Sequence, residues 1–306
     1  MSKKTIRDFK CASKDGSNIL VAMSNKSINI LDAYRESYSI SETAIEYRKL
    51  EKNSFSVIPL SHTVEAESMG ADINYDMVEY GIRAGSYKCE TLNDLLNLDD
   101  MDLKKSPVSE IISAIRYMKS KGEKVILEIS GPFTIFDFFI EPKKVYKSLR
   151  KKEDIMYKVF EKSKKNILYY ADEAMKAGAD VISYSDSSGG VSILGPRLVE
   201  NVYNMFTKDF LIELENLARK NKKLIHLCPK TTQIVIGMEE KKLKEIDLIS
   251  TQIPTYEEAM DEICERIEKE DLPLIMGQMC INMNKAKMYS RKIKMIEMSE
   301  ANNGFE

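Results

Sequence analysis

At Ala177-Gly178-Ala179-Asp180-Val181-Ile182-Ser183-Tyr184 a long helical pattern stops and an apolar run begins. A glycine just past the last helical turn is a common stop signal. The short run Val181–Tyr184 that follows reads as a buried strand. The same unit recurs on either side. Val125-Ile126-Leu127-Glu128-Ile129 halts at Gly131-Pro132, and Leu224-Ile225-His226-Leu227-Cys228 halts at Pro229. Asp247-Leu248-Ile249-Ser250 and Leu272-Pro273-Leu274-Ile275-Met276 continue the series, with helical patterns near 107–121, 142–177, 197–222, 231–245 and 254–270 between them. Strands alternating with helices imply an α/β fold with a parallel sheet and crossover helices. No G-x-G-x-x-G opens any of the helices, so a dinucleotide-binding open sheet has no support. The expectation is a (β/α)8 TIM-type barrel, which places chemistry in the loops after the strands.

The first 50 or so residues are polar and weakly periodic and read as an N-terminal appendage. With no repeat, low-complexity tract or Pro/Gly-rich linker, residues 1–306 are expected to form a single barrel domain. The closing stretch Ala301-Asn302-Asn303-Gly304-Phe305-Glu306 is expected to fray. The chain is 43% hydrophobic and 31% charged, enough apolar material for one large core. Its 46 basic and 48 acidic residues are interspersed, which argues against nucleic acid as a partner. No N-terminal signal peptide and no membrane span are apparent, so the expected location is the cytosol. Five scattered cysteines fit a reducing compartment better than a disulfide framework.

Three constellations could carry chemistry. His226-x-Cys228 ends an apolar strand, where side chains two apart share a face. Imidazole and thiolate are the donors zinc prefers, and Cys280, after the strand 272–276, is the natural third ligand. A buried, hydrogen-bonded histidine beside a core cysteine explains the pair equally well. Cys264 lies on an apolar helical face and reads as core; Cys11 and Cys89 receive no role. The second constellation is Ser185-Asp186-Ser187-Ser188-Gly189-Gly190 at the end of the strand 181–184. There Asp186, Ser187, Ser188 and Gly189 are placed to contact a ligand, or serve only as a turn. The third is His62-Thr63-Val64-Glu65-Ala66-Glu67. Here His62 or Glu65 is a candidate ligand or proton carrier, unless the acids merely open a helix.

Together these segments resemble the uroporphyrinogen decarboxylase superfamily, on its methylcobamide:coenzyme M methyltransferase branch. The similarity runs from about Val57 to Asn284. Thr63-Val64-Glu65-Ala66-Glu67-Ser68-Met69-Gly70-Ala71 resembles the branch's TVEAEALGA stretch. Ile129-Ser130-Gly131-Pro132-Phe133-Thr134 resembles its GPFT turn, and Ala177–Asp180 with Ser185–Ser188 resembles its AGAD…DPS strand. His226-x-Cys228 with Cys280 resembles its zinc motif. The resemblance implies a barrel that holds Zn2+ through His226, Cys228 and Cys280. It implies transfer of a methyl group from a methylated corrinoid (cobalamin), carried by a partner protein, to a thiol such as coenzyme M, with Asp186 and Glu65 shaping the pocket or supplying a fourth zinc ligand. A monomer or homodimer is expected. Pro229 stands where the family has glycine, and Cys228 and Cys280 are closer in sequence than the family implies. Alternatives are a homocysteine acceptor, a metal-free decarboxylase or lyase, and a non-catalytic binding subunit. The decarboxylases' arginine-rich N-terminal motif has no counterpart here.

Overall fold

The computed structural model describes residues 17–76, 81–104, 106–239, 242–283 and 285–298. Cys11 and the terminal stretch 301–306 lie outside them. Helices α1 (Ser17–Asn25), α2 (Asp32–Arg35) and α3 (Ser37–Glu51) precede strand β1 (Phe55–Ile58). Next come α4 (Val64–Ser68), a hairpin of β2 (Ile73–Asp76) and β3 (Gly81–Ala84), and α5 (Leu92–Leu96). Regular alternation then sets in with α6 (Pro107–Ser120), β4 (Lys124–Ser130), α7 (Pro132–Phe136), α8 (Pro142–Lys151), α9 (Asp154–Ala177) and β5 (Val181–Ser185). After α10 (Val191–Leu194), α11 (Pro196–Val202), a π-helical stretch and α12 (Lys208–Asn221) come β6 (Leu224–Leu227) and α13 (Pro229–Met238). The described chain closes with β7 (Leu243–Asp247), α14 (Tyr256–Arg266), β8 (Ile275–Met276) and β9 (Lys292–Ile296).

The fold is α/β, and the expected alternation holds. Strands pair in the order β1-β4-β5-β6-β8-β9-β7, parallel from β1 to β8. β4, β5 and β6 are buried on both faces, which explains their continuous apolar runs. The ring of a closed barrel is not completed among the described residues, where β1 and β7 are the outer strands. The sequence placed a strand at 247–250; instead β7 spans 243–247 and pairs antiparallel with β9. Its Lys244, Glu245 and Asp247 are exposed. Such residues suit a solvated outer ribbon and disfavour insertion between β6 and β8.

Two further boundaries differ from the sequence reading. The helical pattern 142–177 is two helices, separated at Lys152, whose φ is 52°. Within the expected appendage, Ile40, Ala44 and Ile45 of α3 are buried in the main core together with Phe55 and Ile58 of β1. Ile40 and Ala44, four apart, share one helical face, and Ile45 lies beside Ala44 at its edge. Among the described residues Ile19, Met23 and Ala33, from α1 and α2, form a separate small cluster. Among the described residues no helix is long and apolar enough to cross a membrane.

Candidate functional site

The C-terminal ends of β4, β5 and β6 carry two hydrogen-bonded assemblies that share β5. The first unites three segments far apart in sequence. Asp186, just beyond β5, accepts from the backbone N–H of Phe133 at 3.2 Å and of Thr134 at 2.9 Å, and from the Thr134 hydroxyl at 2.9 Å. Its carboxylate thus caps the first turn of α7 from outside the helix, supplying acceptors that the turn lacks. Ser130, at the end of β4, donates its N–H to Glu65 Oε1 at 2.7 Å, and Gly131 donates to the Ser185 carbonyl at 2.8 Å. A side chain on Gly131 would overlap Asp186 and lie 2.5 Å from the Tyr184 hydroxyl, so this approach requires glycine. Ser187 N–H donates to Thr134 Oγ1 at 3.1 Å, and the Ser188 hydroxyl to Asp137.

Glu65 and Asp186 therefore grip the two ends of one turn, residues 130–134. Both are buried, and burial pushes both carboxyls up. For Asp186 the rise reaches about 6, because desolvation outweighs the donors from Thr134 and Phe133 that favour the charge. Below about pH 6 the folded chain holds a proton here that an unfolded aspartate releases near the ordinary carboxylate range. Stability should therefore fall as pH rises through that window, by up to roughly 3 kcal/mol. Urea midpoints measured from pH 4 to 7 should carry this slope, and Asp186→Asn should reduce it, leaving the part that belongs to Glu65.

The second assembly centres on His226. The parallel register sets Glu128, Ser183, His226 and Met276 side by side on β4, β5, β6 and β8. His226 is 1% exposed, and both ring nitrogens are engaged: Nδ1 lies 3.0 Å from Ser183 Oγ and Nε2 3.0 Å from the Met279 carbonyl oxygen. Burial pushes the imidazole below its ordinary value, partly offset by the Met279 carbonyl and the Glu128 carboxylate. The Tyr256 ring stands edge-on, 6.0 Å between centroids. Cys280 directly follows Met279 and is 5% exposed, while Cys228 is half-buried at the N-cap position of α13. The segment after β8 lies directly on the turn after β6. A side chain on Gly277 would overlap Thr232 Oγ1 and lie 2.9 Å from the Leu227 carbonyl oxygen.

The expected site residues thus fall into two groups. His226 and the Met279–Cys280 segment meet, with Cys228 two residues along the chain. Asp186, Glu65, Ser187, Ser188 and Gly189 belong to the turn assembly. His62 is exposed, three residues from the buried Glu65. Imidazole and thiols are fitting donors for zinc, but their placement does not fit. Nε2 is held by a carbonyl, and among the described residues no three His, Cys, Asp or Glu side chains are grouped so as to hold an ion. Sequence reasoning passed over Glu128, although a lone charge in the run 125–129 was its signal. The role of the Met279 carbonyl had no signal, because backbone groups leave no trace in residue types.

A family model for uroporphyrinogen decarboxylase (URO-D) matches residues 20–283. The chain belongs to the uroporphyrinogen decarboxylase family. Two relatives, both named methylcobamide:CoM methyltransferase MtaA, come from Methanosarcina barkeri, one of them from strain Fusaro. Each is 23% identical over 186 residues, 60% of this chain and 53% of its own length. The chain therefore spans about half the length of these two relatives. A solved structure of a methyltransferase from Methanosarcina mazei has a similar fold, with a TM-score of 0.59 and 19% identity over 72% of this chain and 65% of that one.

Proposed function

We propose that this URO-D family member is a methyltransferase that moves a methyl group from a methylated corrinoid, presented by a partner protein, to a thiol acceptor such as coenzyme M. The relatives' named activity supports the reading. The observation that carries it is the meeting of the β6 and β8 ends, where a hydrogen bond brings His226 against the Met279–Cys280 segment, with Cys228 two residues along the chain. In the reaction the acceptor's S–H bond breaks, its proton passes to solvent, and an S–CH3 bond forms as the Co–CH3 bond breaks. The bonding pair stays on cobalt, taking Co(III) to Co(I). The chain's own contribution is positional. Asp186 and Glu65 fix the turn 130–134 as one wall beside the ends of β4 and β5, and Ser183 and His226 tie β5 to the segment after β8. The residues as placed do not fit the zinc that the resemblance implies.

The test is incubation of the purified chain with methylcobalamin and either coenzyme M or homocysteine, with the methylated thiol measured by mass spectrometry. Methyl-coenzyme M should form well above the protein-free rate and faster than methionine. No methylated product from either thiol, with methylcobalamin unchanged, rejects the reading. A second reading, a binding subunit without catalysis, is favoured by one observation: His226 is sealed from solvent with both nitrogens engaged. The same assay separates the two.

A further inference from the structure

We infer that His226 is a structural bridge rather than a metal ligand: a neutral imidazole protonated on Nε2 that ties β5 to the segment following β8. The tautomer follows from the partners. A backbone carbonyl only accepts, so the nitrogen 3.0 Å from the Met279 oxygen carries the proton. A neutral ring then leaves Nδ1 as acceptor, and the Ser183 hydroxyl, 3.0 Å away, is able to donate to it. Each hydrogen bond runs to a different strand unit, so one side chain on β6 holds both of its neighbours.

A zinc ion would need Nε2 at about 2.0–2.1 Å, free of its proton and of the carbonyl. Three features of the packing oppose that exchange. Gly277 seats the segment after β8 against Thr232 and the Leu227 carbonyl with no room for a methyl group. Tyr256 stands edge-on to the imidazole ring. Among the described residues no second and third side-chain donor are grouped with the ring to repay the lost hydrogen bond. A position that serves as a ligand in the family's zinc motif is, in this chain, a tie between strands. The inference stands apart from methyl transfer, which has its own readout.

The chain has only two histidines, which makes the test direct. Long-range 1H–15N correlation spectra of the full chain should show one imidazole, assigned by its persistence in His62→Gln, in the Nε2-protonated form. One equivalent of added zinc should leave that pattern unchanged. Zinc that His226→Ala retains equally well would lie elsewhere and supports the bridge. An Nδ1-protonated ring without metal overturns the inference. So does retention of one zinc per chain with Nε2 moved to a metal-bound shift. Methyl-coenzyme M formation measured on the same samples reports on the proposed activity alone: its absence with the Nε2-protonated ring intact rejects the activity and leaves the bridge.

Discussion

Asp186→Ala is expected to lower the stability of the folded chain by about 3–5 kcal/mol, one of the two largest single-residue effects in this molecule. The substitution removes the acceptor for the Phe133 and Thr134 N–H groups and for the Thr134 hydroxyl, all of them buried. Each buried donor left without a partner costs about 1–3 kcal/mol, and the Ser187 hydroxyl, 3.4 Å from Thr134 Oγ1, is placed to replace the carboxylate only for the Thr134 hydroxyl. Thr134 also accepts from Ser187, so the loss reaches the turn after β5. Urea denaturation should show a lower midpoint at unchanged slope. A variant as stable as the parent would mean that the turn 130–134 is held by Glu65 and Ser185 alone.

His226→Ala is the second, with an expected loss of about 2–4 kcal/mol in metal-free buffer. Part is the space left by a fully buried ring; the rest is the Ser183 hydroxyl and the Met279 carbonyl losing their partner. The informative detail is the absence of metal. A residue that only ligates zinc contributes no stability once a chelator is present, whereas a bridge contributes all of it. Thermal unfolding with and without chelator should give the same deficit for His226→Ala. A deficit that vanishes under chelation contradicts the bridge.

The legible part of the fold was its local part. The strand–helix alternation showed because β4, β5 and β6 are buried on both faces and Gly178 and Pro229 mark their limits. His226-x-Cys228 was correctly placed at a strand end for the same reason. What escaped depended on distant pairing. The link between Asp186 and Thr134 spans 52 residues, and nothing in the local pattern separates a ligand-facing aspartate from one capping a distant helix. The pairing of β7 with β9 escaped likewise, because its charged residues look like a loop until a partner strand lies beside them. The break at Lys152 lies in a run whose polar periodicity continues on both sides. The resemblance segments 63–71, 129–134 and 185–188 were recognised separately, and the structure joins them as one hydrogen-bonded unit.

The most direct measurement is anomalous diffraction at the zinc edge from crystals grown with zinc present. No anomalous peak should appear within bonding distance of His226 Nε2, and the Met279 carbonyl should still be hydrogen-bonded to it. A peak at about 2.1 Å from Nε2, with the sulfurs of Cys228 and Cys280 drawn in at about 2.3 Å, would contradict the bridge.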